Sequence, residues 1–146
     1  MSAANRRRGA DAERAVVNYL RNNGFPNARR FLAGDGRQPG DIDGVPGVCI
    51  EVKDVAQSRW PSWRAQLLKQ TPEGNVSVLV RRTRGVRDVG MWDAQIPWWL
   101  CDPFLVWDMR NEWAMTHLIW CVQTGLHWAT VPFRDVVDLL NGGDEK

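Results

Sequence analysis

The chain has 146 residues, 44% hydrophobic and 25% charged, which suits one globular domain and leaves too little for two independent cores. No apolar run approaches the ~20 residues that a membrane span needs, and no apolar segment follows the basic residues of 1–8 as in a signal peptide. We therefore expect neither a membrane-spanning nor a secreted protein. Three widely spaced cysteines favour a reducing cytoplasm over a disulfide framework.

Charge is divided unevenly along the sequence, although the net charge is only +2. Residues 1–87 carry sixteen Lys and Arg against eight Asp and Glu, and residues 88–146 carry three against nine. Sixteen of the nineteen basic residues are Arg, whose planar guanidinium matches phosphate better than the Lys ammonium does. We therefore expect the first half of the chain to meet a polyanion.

The first predicted element is an amphipathic helix over Ala10–Asn23, which ends at Gly24. Residues 1–8 before it are polar and are expected to be flexible. At 100° per residue, Glu13 falls at the edge of the apolar stripe, where a carboxylate is partly desolvated and needs a partner. A pair within its own helix is the ordinary interpretation of Glu13.

Three strands are predicted next, over Ala28–Leu32, Asp41–Gly44 and Val48–Asp54. The last two are expected to pair through a tight turn centred on Pro46. Because side chains alternate across a strand, the third strand has an aliphatic face for the core and a second face of different character. That second face carries Cys49, Glu51 and Lys53.

The remaining predicted elements are a helix over Pro61–Gln70, strands over Val76–Arg81 and Val89–Ala94, and a C-terminal helix over Phe133–Leu140. Residues 97–146 are rich in Trp. Within them, residues 104–107 are strand-like, and residues 113–122 fit either the helical or the strand period. The elements predict one α/β domain over 1–146, in which a mixed central sheet is flanked by helices. Residues 10–92 would form the core that carries the candidate site residues.

Four charged residues come together in this scheme: Glu13 on the first helix, and Asp41, Glu51 and Lys53 on the paired strands. Asp41 and Glu51 are equidistant from Pro46, so a symmetric hairpin places their carboxylates side by side. Such a pair is destabilising unless a cation lies between the charges, and Mg²⁺ binds oxygen ligands while keeping waters for a substrate. Lys53 projects from the same face about 7 Å farther on, where it would stabilise charge on an attacked phosphate. The arrangement predicts phosphodiester hydrolysis.

Glu13 in a first helix, the pair Gly40-Asp41 and the triplet Glu51-Val52-Lys53 resemble the PD-(D/E)xK nuclease superfamily, and within it the archaeal-type and phage Holliday junction resolvases. The resemblance covers roughly residues 8–92. Gly40 stands where the superfamily has Pro, and no segment of the Trp-rich second half matches. The resemblance implies a restriction-endonuclease-like core.

Site roles follow from the same resemblance. It makes Asp41, Glu51 and the Val52 carbonyl ligands of Mg²⁺, for which Mn²⁺ would substitute. Glu13 becomes the upstream acid, which completes the metal site directly or through water. Lys53 becomes the catalytic lysine, and Gln66 on the second helix becomes a site-positioning residue.

The predicted activity is metal-dependent cleavage of DNA, and the resemblance makes branched DNA, such as a four-way junction, the leading substrate. Symmetric cleavage of a junction needs two active sites, which implies a homodimer. The expected location is the cytoplasm, that of the host cell if a phage encodes the protein. Two alternatives stay open: a nuclease for flaps, single strands or duplex DNA, and a non-catalytic DNA-binding module.

The basic residues of the first half are interpreted as phosphate contacts that position DNA, with ordinary solvated surface as the alternative. The predicted contacts are Arg6, Arg7, Arg8, Arg29, Arg30, Arg37, Lys69, Arg81, Arg82, Arg84 and Arg87.

Other residues near the predicted site have more ordinary interpretations. Trp60 and Trp63 are candidates for base stacking, whereas the other seven Trp are interpreted as core or dimer surface. Asp43 is expected to be an exposed turn residue rather than a further ligand. Asp54 is expected to cap the end of its strand.

Overall fold

A computed structural model describes residues 2–31, 39–97 and 128–142 of the chain. In chain order its elements are helix α1 (Ala3–Asn22), strands β1 (Arg29–Arg30), β2 (Ile42–Asp43) and β3 (Val48–Lys53), helix α2 (Trp60–Gln70), strand β4 (Val76–Arg81), a short 3₁₀ helix (Val89–Met91), strands β5 (Asp93–Pro97) and β6 (Trp128–Pro132), and helix α3 (Phe133–Leu140). None of the helices in these three stretches is long and apolar enough to cross a membrane. The predicted elements over 104–107 and 113–122 lie outside the described residues, as do Arg37 and five of the Trp predicted as core or dimer surface.

The strands of the described residues form one mixed sheet in the order β1-β2-β3-β4-β5-β6. Neighbouring strands are antiparallel except β3 and β4, which run parallel with Val48 opposite Val76 and Lys53 opposite Arg81. Helix α2 connects these two parallel strands, so β3 and β4 end at the same margin of the sheet. The predicted α/β class, with a mixed sheet flanked by helices, is confirmed.

Helices α1 and α3 cover one face of the sheet and form the main hydrophobic core. Leu20 of α1 and Phe133 of α3 are fully buried there, against Ile50, Val78 and Ile96 of the central strands. This is the aliphatic face predicted for β3, since Ile50 belongs to it. Burial of such side chains stabilises the fold by about 1.5–3 kcal/mol each.

Helix α2 covers the opposite face with a smaller apolar cluster. Trp63 and Leu67 of α2 pack there against Cys49 and Leu79. Cys49 precedes Ile50 in β3, so the strand is buried on both faces, with one residue pointing each way. Glu51 follows on the α2 face, which places it beyond the cluster and toward the end of the strand.

Helix α1 begins seven residues earlier than the predicted start at Ala10. The side-chain oxygen of Ser2 caps it by accepting the N–H of Asn5 at 3.2 Å. Residues 3–9 bury little, so no apolar period marks them, but Ala and Arg are strong helix formers and extend the buried part of the helix. The three arginines expected in a flexible segment therefore lie on a capped helix.

One strand prediction was wrong and one strand was missed. The segment Val89–Met91 is a 3₁₀ helix rather than the start of a strand, because Asp88 accepts the N–H of Gly90 at 3.0 Å and tightens the turn. Strand β5 therefore starts at Asp93. Strand β6 was not predicted; its segment WATVP lacks clear alternation and depends on pairing with β5. By contrast, β4 and α3 have the predicted bounds.

Candidate active site

The predicted pairing of the hairpin strands is present. Ile42 lies opposite Ile50, a register centred on Pro46. The N–H of Asp41 donates to the carbonyl of Ile50 at 2.8 Å, and Asp41 Oδ2 accepts the N–H of Val52 at 2.8 Å. Asp41 is thereby held against the part of β3 that carries Glu51, as the sequence predicted.

Asp41 is mostly buried in a negatively charged environment. Its pKa is raised from 3.8 to about 7, chiefly by burial and further by the charges of Glu51 and Glu13, which together outweigh the opposite effects of the Val52 N–H and Lys53. A nearby cation would favour the ionised form of such a carboxyl and lower its pKa. The environment of Asp41 is therefore suited to a cation-binding group.

Lys53 lies between a carboxylate and an aromatic ring. Its Nζ is 3.2 Å from Glu51 Oε1 and 5.9 Å from the centroid of the Trp63 ring. The Trp63 residue is 8% exposed and meets Trp60 edge to face at 5.4 Å. The hypothesis that Trp63 stacks on a base is wrong, because its ring is buried under α2, where it contacts the lysine instead.

Glu13 has the partner that its place at the edge of the helix stripe requires. Arg30 Nε lies 2.7 Å from Glu13 Oε2. The partner comes from β1, so the interpretation of Glu13 as one half of an intrahelical pair is wrong. The Glu13 side chain is 20% exposed, and its charge adds to the raised pKa of Asp41. Glu13 thus belongs to the same electrostatic environment as the hairpin acids.

These groups line an open cleft of about 620 Å³ at the end of β3. Five of the six residues predicted for catalysis and metal binding line it: Glu13, Asp41, Glu51, Val52 and Lys53. Basic residues from α1, β1 and the turn after β4 line it as well. The cleft therefore has acidic residues at its centre and basic residues around them.

Gln66 is the predicted site residue that the structure does not bring to the cleft. It is exposed on α2. Gln70, one turn farther on, accepts the N–H of Gly40 with its Oε1 at 3.3 Å. Gln70 therefore supports the backbone directly before Asp41. Gln70 follows Trp63 by seven residues and therefore lies on the same side of α2, but only the packing of α2 on the sheet shows that this side reaches Gly40.

The residue before Asp41 must be glycine. Gly40 has a φ of +73°, and a Cβ there would lie 2.5 Å from the carbonyl oxygen of Ile50. Proline fixes φ near −65°, so it would not fit this backbone at all. The departure of the sequence from the Pro of the superfamily motif thus has a local steric reason.

Two further aspartates lie near the hairpin. Asp43 pairs with Arg29 at 2.8 Å, and the hydrogen bond from Arg29 lowers the pKa of Asp43, which agrees with a surface residue rather than a ligand. Asp54 was expected to cap its strand, but its side chain is 11% exposed, lines the cleft and faces Arg82 at 3.4 Å. Asp54 is a cleft residue that the sequence analysis missed, although its place directly after Lys53 was a signal.

The predicted phosphate contacts divide into two groups. Four arginines are bonded within the protein: Arg29 to Asp43, Arg30 to Glu13, Arg82 to Asp54, and Arg81 to the carbonyls of Val55 and Ala56. The others that the structure describes are exposed and form no side-chain ion pair or hydrogen bond within residues 2–31, 39–97 and 128–142: Arg6, Arg7, Arg8, Lys69, Arg84 and Arg87.

Asp41, Glu51 and the Val52 carbonyl are the groups that could hold a divalent ion. The Lys53 carbonyl accepts the N–H of Arg82 on the β4 side, so the N–H and carbonyl of Val52 face the opposite edge, toward Asp41. In the described part of the chain, no three His, Cys, Asp or Glu residues form a group able to hold a metal. Two carboxylates and a carbonyl still suit Mg²⁺, which uses one or two carboxylates and keeps several waters.

The fold and the cleft define an α/β protein in which a mixed sheet carries an acidic centre at the end of a middle strand. Comparison with family models, curated proteins and solved structures gave no match to the chain. The functional assignment therefore depends on the residues of the cleft.

Proposed function

We propose that the protein is a divalent-metal-dependent DNA endonuclease of the PD-(D/E)xK type, with a restriction-endonuclease-like core. The observation that carries the proposal is the hairpin register. With Ile42 opposite Ile50, Asp41 lies against the segment of β3 whose α2 face carries Glu51 and Lys53. Close, desolvated carboxylates beside a lysine are a destabilising arrangement for a structural site and a useful one for metal-assisted hydrolysis.

The cleft residues have distinct roles in this proposal. Asp41, Glu51 and the Val52 carbonyl would hold Mg²⁺ or Mn²⁺, and the ion would supply Lewis acidity at a phosphodiester oxygen. Lys53, fixed by Glu51 and by the Trp63 ring, stabilises the negative charge that develops on the attacked phosphate.

The α1 side of the cleft contributes an ion pair. Arg30 holds the Glu13 carboxylate in one orientation at 2.7 Å, and the Glu13 charge contributes to the raised pKa of Asp41. A fixed carboxylate there orients water that bridges toward the acidic centre. Glu13 is therefore proposed as an outer member of the site.

Branched DNA, such as a four-way junction, is the substrate that the sequence resemblance favours. Two copies of the chain would then be required, one active site for each of the two symmetric cuts. A homodimer in the cytoplasm belongs to the same proposal. The buried free thiol of Cys49 agrees with a reducing compartment.

A non-catalytic DNA-binding module is the second candidate. The observation that favours it is that two of the acids already have basic partners, Glu13 with Arg30 and Glu51 with Lys53. Such pairing reduces the repulsion that a metal ion would otherwise relieve.

The deciding experiment incubates labelled four-way, flapped, duplex and single-stranded DNA with the protein, with and without Mg²⁺. We expect Mg²⁺-dependent cleavage that favours the four-way junction. Glu51→Gln and Lys53→Ala should each lower the rate by on the order of 10²-fold or more while leaving binding intact. Glu73→Gln is the matched control, because Glu73 is exposed in the turn after α2 and does not line the cleft.

Each other outcome selects an alternative. Wild-type cleavage by Lys53→Ala would reject the role of the lysine. Preferential digestion of flaps or single strands would identify a different nuclease. Tight binding without cleavage in the presence of Mg²⁺ would identify the non-catalytic module.

A further inference from the structure

Three guanidinium groups line the cleft without an internal partner. Arg6 and Arg8 lie on α1, and Arg84 lies in the turn after β4. Each is exposed, and within the described residues none of the three side chains forms an ion pair or a hydrogen bond. Arg30 lines the same cleft but is bonded to Glu13. The three free groups are thus the positive charges of the cleft that an incoming anion meets first.

The helical start of α1 fixes two of these groups. Because Ser2 caps the helix, Arg6 and Arg8 are held within its first two turns rather than on a flexible segment. Arg6 precedes Glu13 by seven residues, which is about 10 Å along the axis. Positive charge therefore lies at one end of this helix face and the site acid at the other.

Small residues occupy the helix face between them. Gly9 and Ala10 line the cleft there, and a Cβ built on Gly9 would meet nothing within 4 Å. Packing therefore gives no reason for glycine, which destabilises a helix interior relative to alanine. The bare backbone leaves room for a chain of sugars and phosphates to approach α1.

We infer that Arg6, Arg8 and Arg84 form an arginine rim that binds consecutive backbone phosphates of duplex DNA and leads the strand to the acidic centre. The inference rests on the DNA-binding part of the proposed function and narrows eleven predicted contacts to three. A single small anion would not need three separate guanidinium groups around an open cleft of about 620 Å³. The extended phosphate array of a duplex matches them.

The test measures binding of a short labelled DNA duplex in EDTA, where no metal-dependent cleavage takes place. Affinity is followed from about 50 to about 200 mM salt, because each phosphate contact adds about 0.9 to the slope of log K against log salt. Arg6→Ala, Arg8→Ala and Arg84→Ala should each reduce the magnitude of this slope by about 0.9. The triple variant should reduce it by nearly three times as much.

The chain offers a matched control for each element. Arg7→Ala removes a neighbouring free guanidinium from the same helix, and Arg87→Ala removes one from the same connection between β4 and β5. Neither residue lines the cleft. All these positions are exposed, and melting temperatures equal to that of the wild type would show that folding is intact. We expect the slopes of both controls to stay close to that of the wild type.

Several results would overturn the inference. Equal changes of the salt slope in rim and control variants would mean that the arginines act only through the overall charge of the protein. Unchanged slopes in all variants would show that the rim does not bind DNA. Tighter wild-type binding of an RNA duplex of the same sequence would reject DNA as the ligand.

A parallel assay with Mg²⁺ separates this inference from the proposed function. If the variants lose slope in EDTA but the wild type cleaves no DNA in Mg²⁺, the rim is supported and the nuclease proposal is rejected. Cleavage by the wild type with no slope loss in the variants would keep the nuclease and reject the rim.

Discussion

Asp41 bonds to the backbone of Val52, where its Oδ2 accepts the N–H at 2.8 Å. The carboxyl therefore accepts a backbone hydrogen bond from β3, as a paired strand would, at the point where regular pairing of β2 with β3 ends. This bond draws the side chain into a mostly buried position beside Glu51, and burial is the largest cause of its pKa of about 7. The hydrogen bond itself favours the ionised carboxyl, but burial and the neighbouring acids outweigh it.

In the metal-free protein, ionised Asp41 should lower the free energy of unfolding. Its pKa is about 7 in the fold against an ordinary 3.8, so the stability gained from its proton is full below pH 4 and is lost as pH rises through 7. The difference corresponds to at most on the order of 4 kcal/mol. Asp41→Asn should abolish this loss and be the more stable protein at pH 8. Urea unfolding in EDTA at several pH values measures it, and parallel curves for the two proteins would contradict it.

Mg²⁺ should raise the melting temperature more at pH 8 than at pH 6. At the lower pH the ion must displace the proton of Asp41, so binding releases protons and weakens. Asp41→Asn and Glu51→Gln should lose the effect, and Glu73→Gln should keep it. Thermal melts with and without Mg²⁺ give the answer. The same metal-induced shift in Asp41→Asn as in the wild type would show that the ion binds elsewhere.

Gly40→Ala should destabilise the protein more than Gly47→Ala does. Both glycines have a φ of +73°, so both alanines suffer the left-handed penalty of about 1–2 kcal/mol. Only at Gly40 would the new Cβ meet the Ile50 carbonyl oxygen, at 2.5 Å, whereas nothing lies within 4 Å at Gly47. We expect Gly40→Ala to cost at least about 1 kcal/mol more. Equal unfolding free energies for the two variants would show that the loop relaxes freely.

Trp63 should matter for catalysis as well as for packing. Trp63→Leu removes the ring next to Lys53 and should lower the cleavage rate, whereas Trp63→Phe, which keeps a π face, should retain more of it. Leu67→Ala is the control, since it removes about 2–5 kcal/mol of packing from the same cluster without touching the lysine. Equal cleavage rates for Trp63→Leu and Leu67→Ala, at a temperature where both are folded, would reduce Trp63 to a core residue.

Gly9→Ala should stabilise the protein and weaken its binding to DNA. The position is helical and open, so alanine should add about 0.5–1 kcal/mol to the free energy of unfolding. The added methyl group would separate the DNA backbone from α1 and lower affinity a few-fold. Urea unfolding and duplex binding in EDTA test the two parts. Unchanged affinity in the more stable variant would show that DNA does not approach this turn.

The hairpin could be predicted because its information is local. A turn with Pro46 at its centre sets the register, and alternation along β3 separates core positions from Glu51 and Lys53. The sequence indicated that Glu13 needs a partner. It could not identify Arg30 as that partner, because tertiary packing brings the two residues together.

What the sequence analysis missed depends on contacts between distant segments. Gln70 rather than Gln66 meets Gly40 because the packing of Trp63 sets the rotation of α2. Strand β6 forms only by pairing with β5, some thirty residues earlier in the chain. An arginine remains unpaired when the fold brings no acidic side chain to it, and no local sequence pattern contains that information.

Strand β1 borders the sheet next to the cleft and is only two residues long, Arg29–Arg30. An extended peptide or a second sheet margin would gain very few backbone hydrogen bonds there, and it would meet two guanidinium groups. Self-association through strand addition is therefore disfavoured at this margin. At this margin of the described sheet, the protein can keep a cleft beside a short strand without offering a template for aggregation.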